Sequence, residues 1–468
     1  MWLLAVVLLI AILWSVSVVT TAQAQARVVT LTEAIRLAME NYPSVDNAAS
    51  AIRSKELAEK KQQAAYGPNL SVSIRPITFA AKARGTEAAI ADSLSIRGDW
   101  STPQGLQISL ANRLQSGGVE KAGLSVDASL RLWPSVQYSA NHLAFLETKE
   151  AVVLVSWQEA DARVAAAIDA YRRYRMLQID QARLSIYAEE SLAQAAIYDR
   201  TLDKAQQGLA SQIEVLKAEE AKERSLAIYE RAFRDYHREL KALLSDLALE
   251  EGLWQLQELP DSLVPAQFSM ALEDAIAMAL ENDATIHDQH QKVTAARRKV
   301  EAAKVNSGLQ VSLGGNARFL EEEGGRGSGF EAYVSFSYPL LDGGLKDLEV
   351  EEAKLALQQA EQALILQKDK VRLNVEKALS DLKWLEAQLK LAKVNYERTQ
   401  LEHGAKELQA ANGLITKLDV EMSQCSLQQA HLDWLEAAVA HEVARLELEA
   451  LIGKTLNVEG GIPIVISW

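Results

Sequence analysis

A single cysteine, Cys425, in 468 residues leaves no partner for an intrachain disulfide, and none stands near Ala26 to carry a lipid anchor. Proline is scarce, at nine residues, and long stretches between Tyr138 and Ile452 are rich in Ala, Leu, Glu, Lys, Gln and Arg, the composition of long helices and coiled coils. Basic residues are outnumbered, 49 Lys plus Arg against 63 Asp plus Glu, which argues against nucleic acid as a partner. Beyond Trp2–Val19, no apolar run approaches the ~20 residues that a spanning helix needs, so any other membrane crossing falls to β-strands in a closed barrel. Motifs that carry chemistry are missing too. There is no Gly-rich phosphate loop, no nucleophile elbow and no HExxH; the one close pair, His287-x-x-His290, lies in a polar helix without an adjacent cysteine. No enzyme activity, cofactor or metal site is expected.

The apolar run Trp2–Val19 is followed by Ala22-Gln23-Ala24-Gln25-Ala26, which offers A-x-A sites to a signal peptidase. Residues 1–26 read as a cleaved export signal. Because no Lys or Arg precedes the run, a retained anchor is the other reading; under both, the body is exported.

The chain repeats itself. LTEAIRLAMEN at Leu31 is echoed by LEDAIAMALEN at Leu272, an offset of 241, and Gly67 and Gly308 are separated by the same 241. Trp133-Pro134 and Tyr338-Pro339 are instead 205 apart, as are GLASQIEV at Gly208 and GLITKLDV at Gly413. The first repeat therefore carries about 36 extra residues between its glycine and proline landmarks.

The 74 residues from Pro134 to Gly208, and again from Pro339 to Gly413, would reach ~110 Å as continuous helix. Val371, Val375, Ala378, Leu382, Leu385, Leu389, Ala392 and Tyr396 follow the 4,3 spacing of a left-handed coiled coil. The corresponding positions in the first repeat are less regular. Gly208 and Gly413 are placed to end these helices in the left-handed conformation, with Ser211 and Thr416 as candidate caps of the returning helices. Each repeat then closes as a helical hairpin, with Gly252–Gln267, containing Pro260 and Pro265, linking the halves as a small equatorial domain.

Between the helices the period becomes two. Leu70, Val72 and Ile74 alternate with Ser71, Ser73 and Arg75; Leu124 through Leu132 alternate with Ser125, Asp127, Ser129 and Arg131; Val311, Leu313, Val334, Phe336 and Tyr338 alternate with serines. Each repeat thus contributes at least a hairpin, with EEEGGRGSG as the turn in the second. A soluble sheet and a membrane barrel both fit this alternation; the export signal and the long helices favour the barrel. Four strands are too few to close one, so several chains must share it. Tyr66, Trp133, Phe330 and Tyr338 lie at or near expected strand ends, where interfacial aromatic girdles sit. In the insertion, Leu94, Ile96, Leu106, Ile108 and Leu110 also alternate with polar residues, an extra hairpin that either extends the extracellular side or adds to the barrel.

This order of helix, hairpin, very long helix, glycine reversal and return helix, twice over behind an export signal, resembles the TolC family of outer-membrane efflux and secretion channels. The residues carrying the resemblance are LTEAIRLAMENYP and its repeat, YPLLDGG at Tyr338, and the reversals at Gly208 and Gly413. The resemblance implies a mainly α fold with a β-barrel portion. In it, tandem repeats of long antiparallel coiled-coil helices form a periplasmic α-barrel, and a homotrimer shares one transmembrane β-barrel, four strands from each chain. It also implies outer-membrane lipid, a periplasmic adaptor and an inner-membrane transporter as partners, and cargo passing through without chemistry. The reversal loops become the periplasmic tip, where acids ring the aperture: Asp419 matches such a position and Glu214 is its counterpart. Glu214 reads equally as a helix-first-turn acid stabilised by the dipole. Met422 stands where some relatives carry a second acid, and WPSVQ lacks the glycines of Asp342-Gly343-Gly344.

The expected domains are a signal at 1–26, a first repeat at 27–251 (helix 31–66, strands 69–133, helical hairpin 134–249), a linker at 252–267, a second repeat at 268–453 (helix 270–306, strands 309–338, helical hairpin 339–452) and a tail at 454–468. The alternative function is a membrane-tethered extracytoplasmic coiled-coil scaffold, whose strands are soluble connectors.

Overall fold

The computed structural model describes residues 27–80, 89–115, 120–249, 254–322, 325–453, 456–458 and 462–464. The expected export signal and most of the tail lie outside them. The first repeat begins with strand β1 (Arg27–Val29), helix α1 (Leu31–Asn41) and helix α2 (Pro43–Ala64). The second begins with β6 (Trp254–Leu256), α5 (Leu272–Asn282) and α6 (Ala284–Asn306).

The continuous helices expected over 31–66 and 270–306 are each broken once, at equivalent places. In the first repeat Pro43 pushes Tyr42 into the extended region (φ −60°, ψ 141°), because its ring clashes with a helical predecessor. In the second, no proline is present and Asp283 does the work instead: its side chain accepts from the Thr285 and Ile286 amides at 2.8 and 3.0 Å, capping α6.

The long helices have the same length in both repeats. Helix α3 (Ala140–Gln206) and helix α7 (Leu345–Ala411) have 67 residues each, ~100 Å of helix. Their returning partners, α4 (Gln212–Asp246) and α8 (Lys417–Leu451), have 35 each. The α7 seam is its least exposed face: Val371, Val375 and Leu382 are buried and the remaining members half-buried. It continues with the same 4,3 step into the buried polar residues Thr399 and His403, whose Nδ1 lies 2.7 Å from Ser423 Oγ on α8.

The repeated motif LTEAIRLAMEN/LEDAIAMALEN ends in an asparagine for a reason visible here. Asn41 Nδ2 donates to the Leu247 carbonyl at 3.2 Å, and Asn282 Nδ2 to the Ile452 carbonyl at 3.1 Å, satisfying the end of the returning helix in each repeat. The next residue turns left-handed in both cases, Ala248 at φ 55° and Gly453 at φ 71°. Glycine carries no Cβ penalty in that conformation and alanine does. Ala248→Gly is therefore expected to raise stability by up to about 1 kcal/mol, read from chaotrope unfolding. Gly453→Ala should lower it, since the added Cβ would lie 2.4 Å from Asn282 Cβ.

The described residues divide into two compact units. The first comprises the described parts of Met1–Asn47, Ala160–Asn282 and Arg372–Trp468; the second comprises those of Ala48–Glu159 and Asp283–Val371. The first holds a core of Ile35, Tyr171, Tyr174, Ile179, Leu243, Leu435 and Leu446, with alanines such as Ala34, Ala38, Ala167 and Ala170 letting helices approach closely. Strands β1 and β6 pair in parallel beside it. Tyr174 locks them to α3: its hydroxyl donates to the Val29 carbonyl at 2.6 Å and accepts from the Gln257 amide at 3.0 Å. The second unit contains the large sheet. No helix among the described residues is long and apolar enough to cross a membrane.

Candidate functional site

The large sheet is antiparallel and six-stranded: β2 (Pro68–Ala80), β3 (Ala89–Ser101), β4 (Leu106–Gln115), β5 (Glu120–Trp133), β7 (Gln310–Glu322) and β8 (Gly325–Ser337), in chain order. The resemblance implied four strands from each chain. The insertion of the first repeat supplies the other two as β3 and β4, hydrogen-bonded along their length between β2 and β5. Each strand has 10–14 residues, enough for the ~9–11 that cross a bilayer at a tilt.

Register decides what the two faces are. Directly opposed residues share a face, and the pairs Leu70↔Gly98↔Leu110↔Val126↔Ala317↔Phe330 run across all six strands without a charge. Val72 and Ile96, then Leu130, Leu313 and Val334, continue the same face; Asn112 and Ser328 are polar exceptions, and the charged pair Glu321↔Arg326 lies on it at the end of the sheet far from the helices. The opposite face carries Asn69↔Asp99↔Ser109↔Asp127↔Asn316↔Glu331 in one row and Arg97 and Arg318 in the next. Ser73 with Ser95, Ser312 with Ser335, and Asn316 with Asp127 are hydrogen-bonded across strands on this side. One face suits lipid and the other water. Apolar side chains stand open on the first, Leu70 at 70% exposure and Phe330 at 80%, an exposed apolar row of the kind that marks a membrane or partner surface.

Three of the four expected girdle aromatics lie near the helix-proximal end of the sheet. Trp133 closes β5 opposite Val311, Tyr338 directly follows β8, and both are exposed. Tyr66 immediately precedes β2 and is half-buried edge-on against Phe145, ring centroids 6.3 Å apart. Phe330, expected near a strand end, sits well inside β8 opposite Ala317 on the apolar face. Trp100 and Phe336 complete the row near Trp133; Trp100 was missed, although the turn residues Thr102-Pro103 beyond it mark a strand end. On the polar face Tyr333 lies over Gly314, where a Cβ would come within 2.4 Å of its ring.

The helical reversals are built identically. After α3, the Leu209 amide donates to the Lys204 carbonyl and Gly208 to Ala205; after α7, Leu414 donates to Gln409 and Gly413 to Ala410. This is the Schellman arrangement, with Gly208 and Gly413 at φ 75° and 73°. Each return helix then opens with a reciprocal capping box. Ser211 N–H donates to Glu214 Oε2 at 2.6 Å and Thr416 N–H to Asp419 Oδ2 at 2.9 Å, while each acid's own amide donates back to the cap hydroxyl at 3.3 Å. The two acids thus serve their own helices first. Leu209 and Leu414, both 74% exposed, project beyond the reversals. Such a leucine ordinarily packs on the side chain five residues back, but Lys204 and Gln409 stand there.

The capping hydrogen bonds set the acids' titration. The Ser211 amide, then its hydroxyl, hold the Glu214 carboxyl below its ordinary range; the Thr416 hydroxyl, then its amide, do so for Asp419. A carboxylate with a lowered folded pKa contributes stability that is present above its unfolded pKa and lost as pH falls through the folded one. Protection factors of the amides at the two reversals, taken relative to intrinsic exchange at each pH, are expected to fall on acidification below the usual carboxylate range. A Glu214→Gln, Asp419→Asn double variant should lose that pH dependence, and an unchanged profile would remove the capping carboxylates as its cause.

Residues 275–454 match the family model described as outer membrane efflux protein, which covers nearly all of the second repeat. The second repeat thus carries the signature of the outer membrane efflux protein family. No curated protein sequence matches it. Among solved structures, the chain is similar to the CmeC outer membrane channel of Campylobacter jejuni, with a TM-score of 0.62 and 14% identity over 90% of this chain and 85% of that one. It is also similar to the outer membrane protein VceC of Vibrio cholerae (0.60, 13%, 91% and 96%) and the open-state MtrE channel of Neisseria gonorrhoeae (0.62, 13%, 91% and 89%). At these identities the likeness speaks to the fold, an α-barrel and β-barrel channel fold. Proteins of that family are outer-membrane channels and not enzymes, and the match supports an efflux-channel role for this chain.

Proposed function

We propose that the chain is the passive exit duct of a tripartite efflux pump or a type I secretion system, working as a homotrimer with a periplasmic adaptor and an inner-membrane transporter. The observation that carries this reading is the six-stranded sheet with one apolar and one polar face and with β2 and β8 left as open edges. Unpaired edges in hydrocarbon cost several kcal/mol per group, so the sheet is complete only when other copies supply its neighbours. Helix α7 supports the same conclusion. Opposite its internal seam it exposes Leu366, Leu373, Val394, Leu401 and Leu408, spaced at multiples of seven, a second coiled-coil stripe that the described residues leave uncovered. Leu209 and Leu414 at the reversals are apolar groups of the kind an adaptor would cover, and Glu214 and Asp419 from three copies would surround the aperture. A tethered scaffold has no use for an apolar sheet face.

The test is fractionation of the full-length protein, followed by its mass in detergent and photocrosslinking from positions 209 and 414. A trimer in the outer membrane that crosslinks to a periplasmic adaptor is expected. A soluble or inner-membrane monomer would sink the reading in favour of the scaffold.

A further inference from the structure

We infer that the inserted hairpin is part of the transmembrane wall, so that three copies close an eighteen-stranded barrel, wider than the twelve strands that four per chain would give. This rests on the proposed trimer and goes beyond it. Strands β3 and β4 are not an appendage at the rim: they pair in the middle of the sheet and separate β2 from β5. They carry the full two-faced pattern, with Ile96, Ile108 and Leu110 on the lipid side and Arg97, Asp99 and Ser109 on the other. A hairpin standing in water beyond the bilayer would need no apolar face continuous with that of its neighbours.

The register also has the stagger that a barrel requires. Partners followed across the sheet from Pro68, the first residue of β2, lead through Trp100, Ile108, Ala128 and Gly315 to Ala332, five residues short of the end of β8 at Ser337. That drift averages one residue per strand step. With ~3.4 Å per residue and ~4.8 Å between strands it corresponds to a tilt of roughly 35°, within the range of closed barrels. An even strand number also leaves β2 of one copy antiparallel to β8 of the next, the pairing closure needs. At this tilt the backbone diameter grows from roughly 22 Å for twelve strands to roughly 34 Å for eighteen. The exit would have the bore of large aqueous porins and admit bulkier cargo than a twelve-stranded exit.

Two measurements on the intact protein test this. Cryo-electron microscopy of the full-length assembly should count eighteen wall strands, and deletion of residues 83–118 should shrink the barrel diameter by about a third while the helical portion keeps its shape. In a Cys425→Ser background, spin labels at Ile108→Cys and Ser109→Cys should report lipid and water respectively on the full-length chain, so the inference does not depend on the deletion variant folding. An outer-membrane trimer with a twelve-stranded wall, or water at both labels, overturns this inference alone. A dimer closing twelve strands, or a monomer, overturns the trimer beneath it as well.

Discussion

Arg445→Ala is expected to destabilise the chain by about 3–5 kcal/mol, the cost of leaving buried carboxylates without their cation. Arg445 lies on α8 at 5% exposure, and Glu442 and Glu449, one turn to either side, are equally buried. Its Nε and Nη2 grip both oxygens of Glu442 at 3.0 and 2.5 Å, while Nη1 donates to Glu449 at 2.6 Å. Glu442 Oε2 also accepts from the Ala266 amide at 3.3 Å, so the cluster fixes part of the link between the repeats to the last helix. Burial opposes the guanidinium's charge, yet the carboxylates more than offset it and its pKa is raised. A triple variant, Arg445→Met with Glu442→Gln and Glu449→Leu, should recover most of the loss, because a buried ion cluster contributes little beyond an apolar one of similar volume. Chaotrope unfolding of the three proteins decides the matter: if the alanine variant unfolds like the parent, the cluster is not closed in solution.

Much of this architecture was legible because it depends on local rules. The repeat offsets located both reversals, and the glycines there mark left-handed turns that few other residues tolerate. The α7 seam was visible because valine and leucine occupy it. The corresponding seam on α3 was harder to see, since its buried line runs Val164, Ala167, Tyr171, Tyr174 and Gln178; a tyrosine whose hydroxyl bonds two strands, and a glutamine donating to the Gln257 carbonyl, do not read as core from type alone. The breaks at Tyr42 and Asp283 were missed because a proline one residue inside a helix is also a good first-turn residue, and the aspartate shows as a cap only once the chain has turned. The capping roles of Glu214 and Asp419 were half legible: the spacing to Ser211 and Thr416 permits a capping box, but an exposed first-turn acid can equally point to solvent, and only the fold shows each carboxylate accepting from the cap amide. Strand number was beyond reach, since alternation in the insertion says that strands exist and not which neighbours they choose.

The choice of neighbours fixes the faces, and the faces give the sharpest discrimination between lipid and water. Ala317 and Asn316 are adjacent at the middle of β7, so arginine at either has the same propensity and the same distance from the strand ends. Ala317 lies between Val126 and Phe330 on the apolar side, whereas Asn316 lies between Asp127 and Glu331 on the polar side. In a membrane barrel Ala317→Arg should cost about 2–4 kcal/mol in each chain at the bilayer midplane. Three chains carry it in one assembly, so the folded trimer should nearly vanish from the outer membrane. Asn316→Arg gains two carboxylate neighbours and loses one hydrogen bond to Asp127, so its trimer yield should stay near that of the parent. The ratio of heat-modifiable trimer in the two variants is the readout. Equal tolerance would mean that both faces meet water, and the sheet would then belong to a soluble connector.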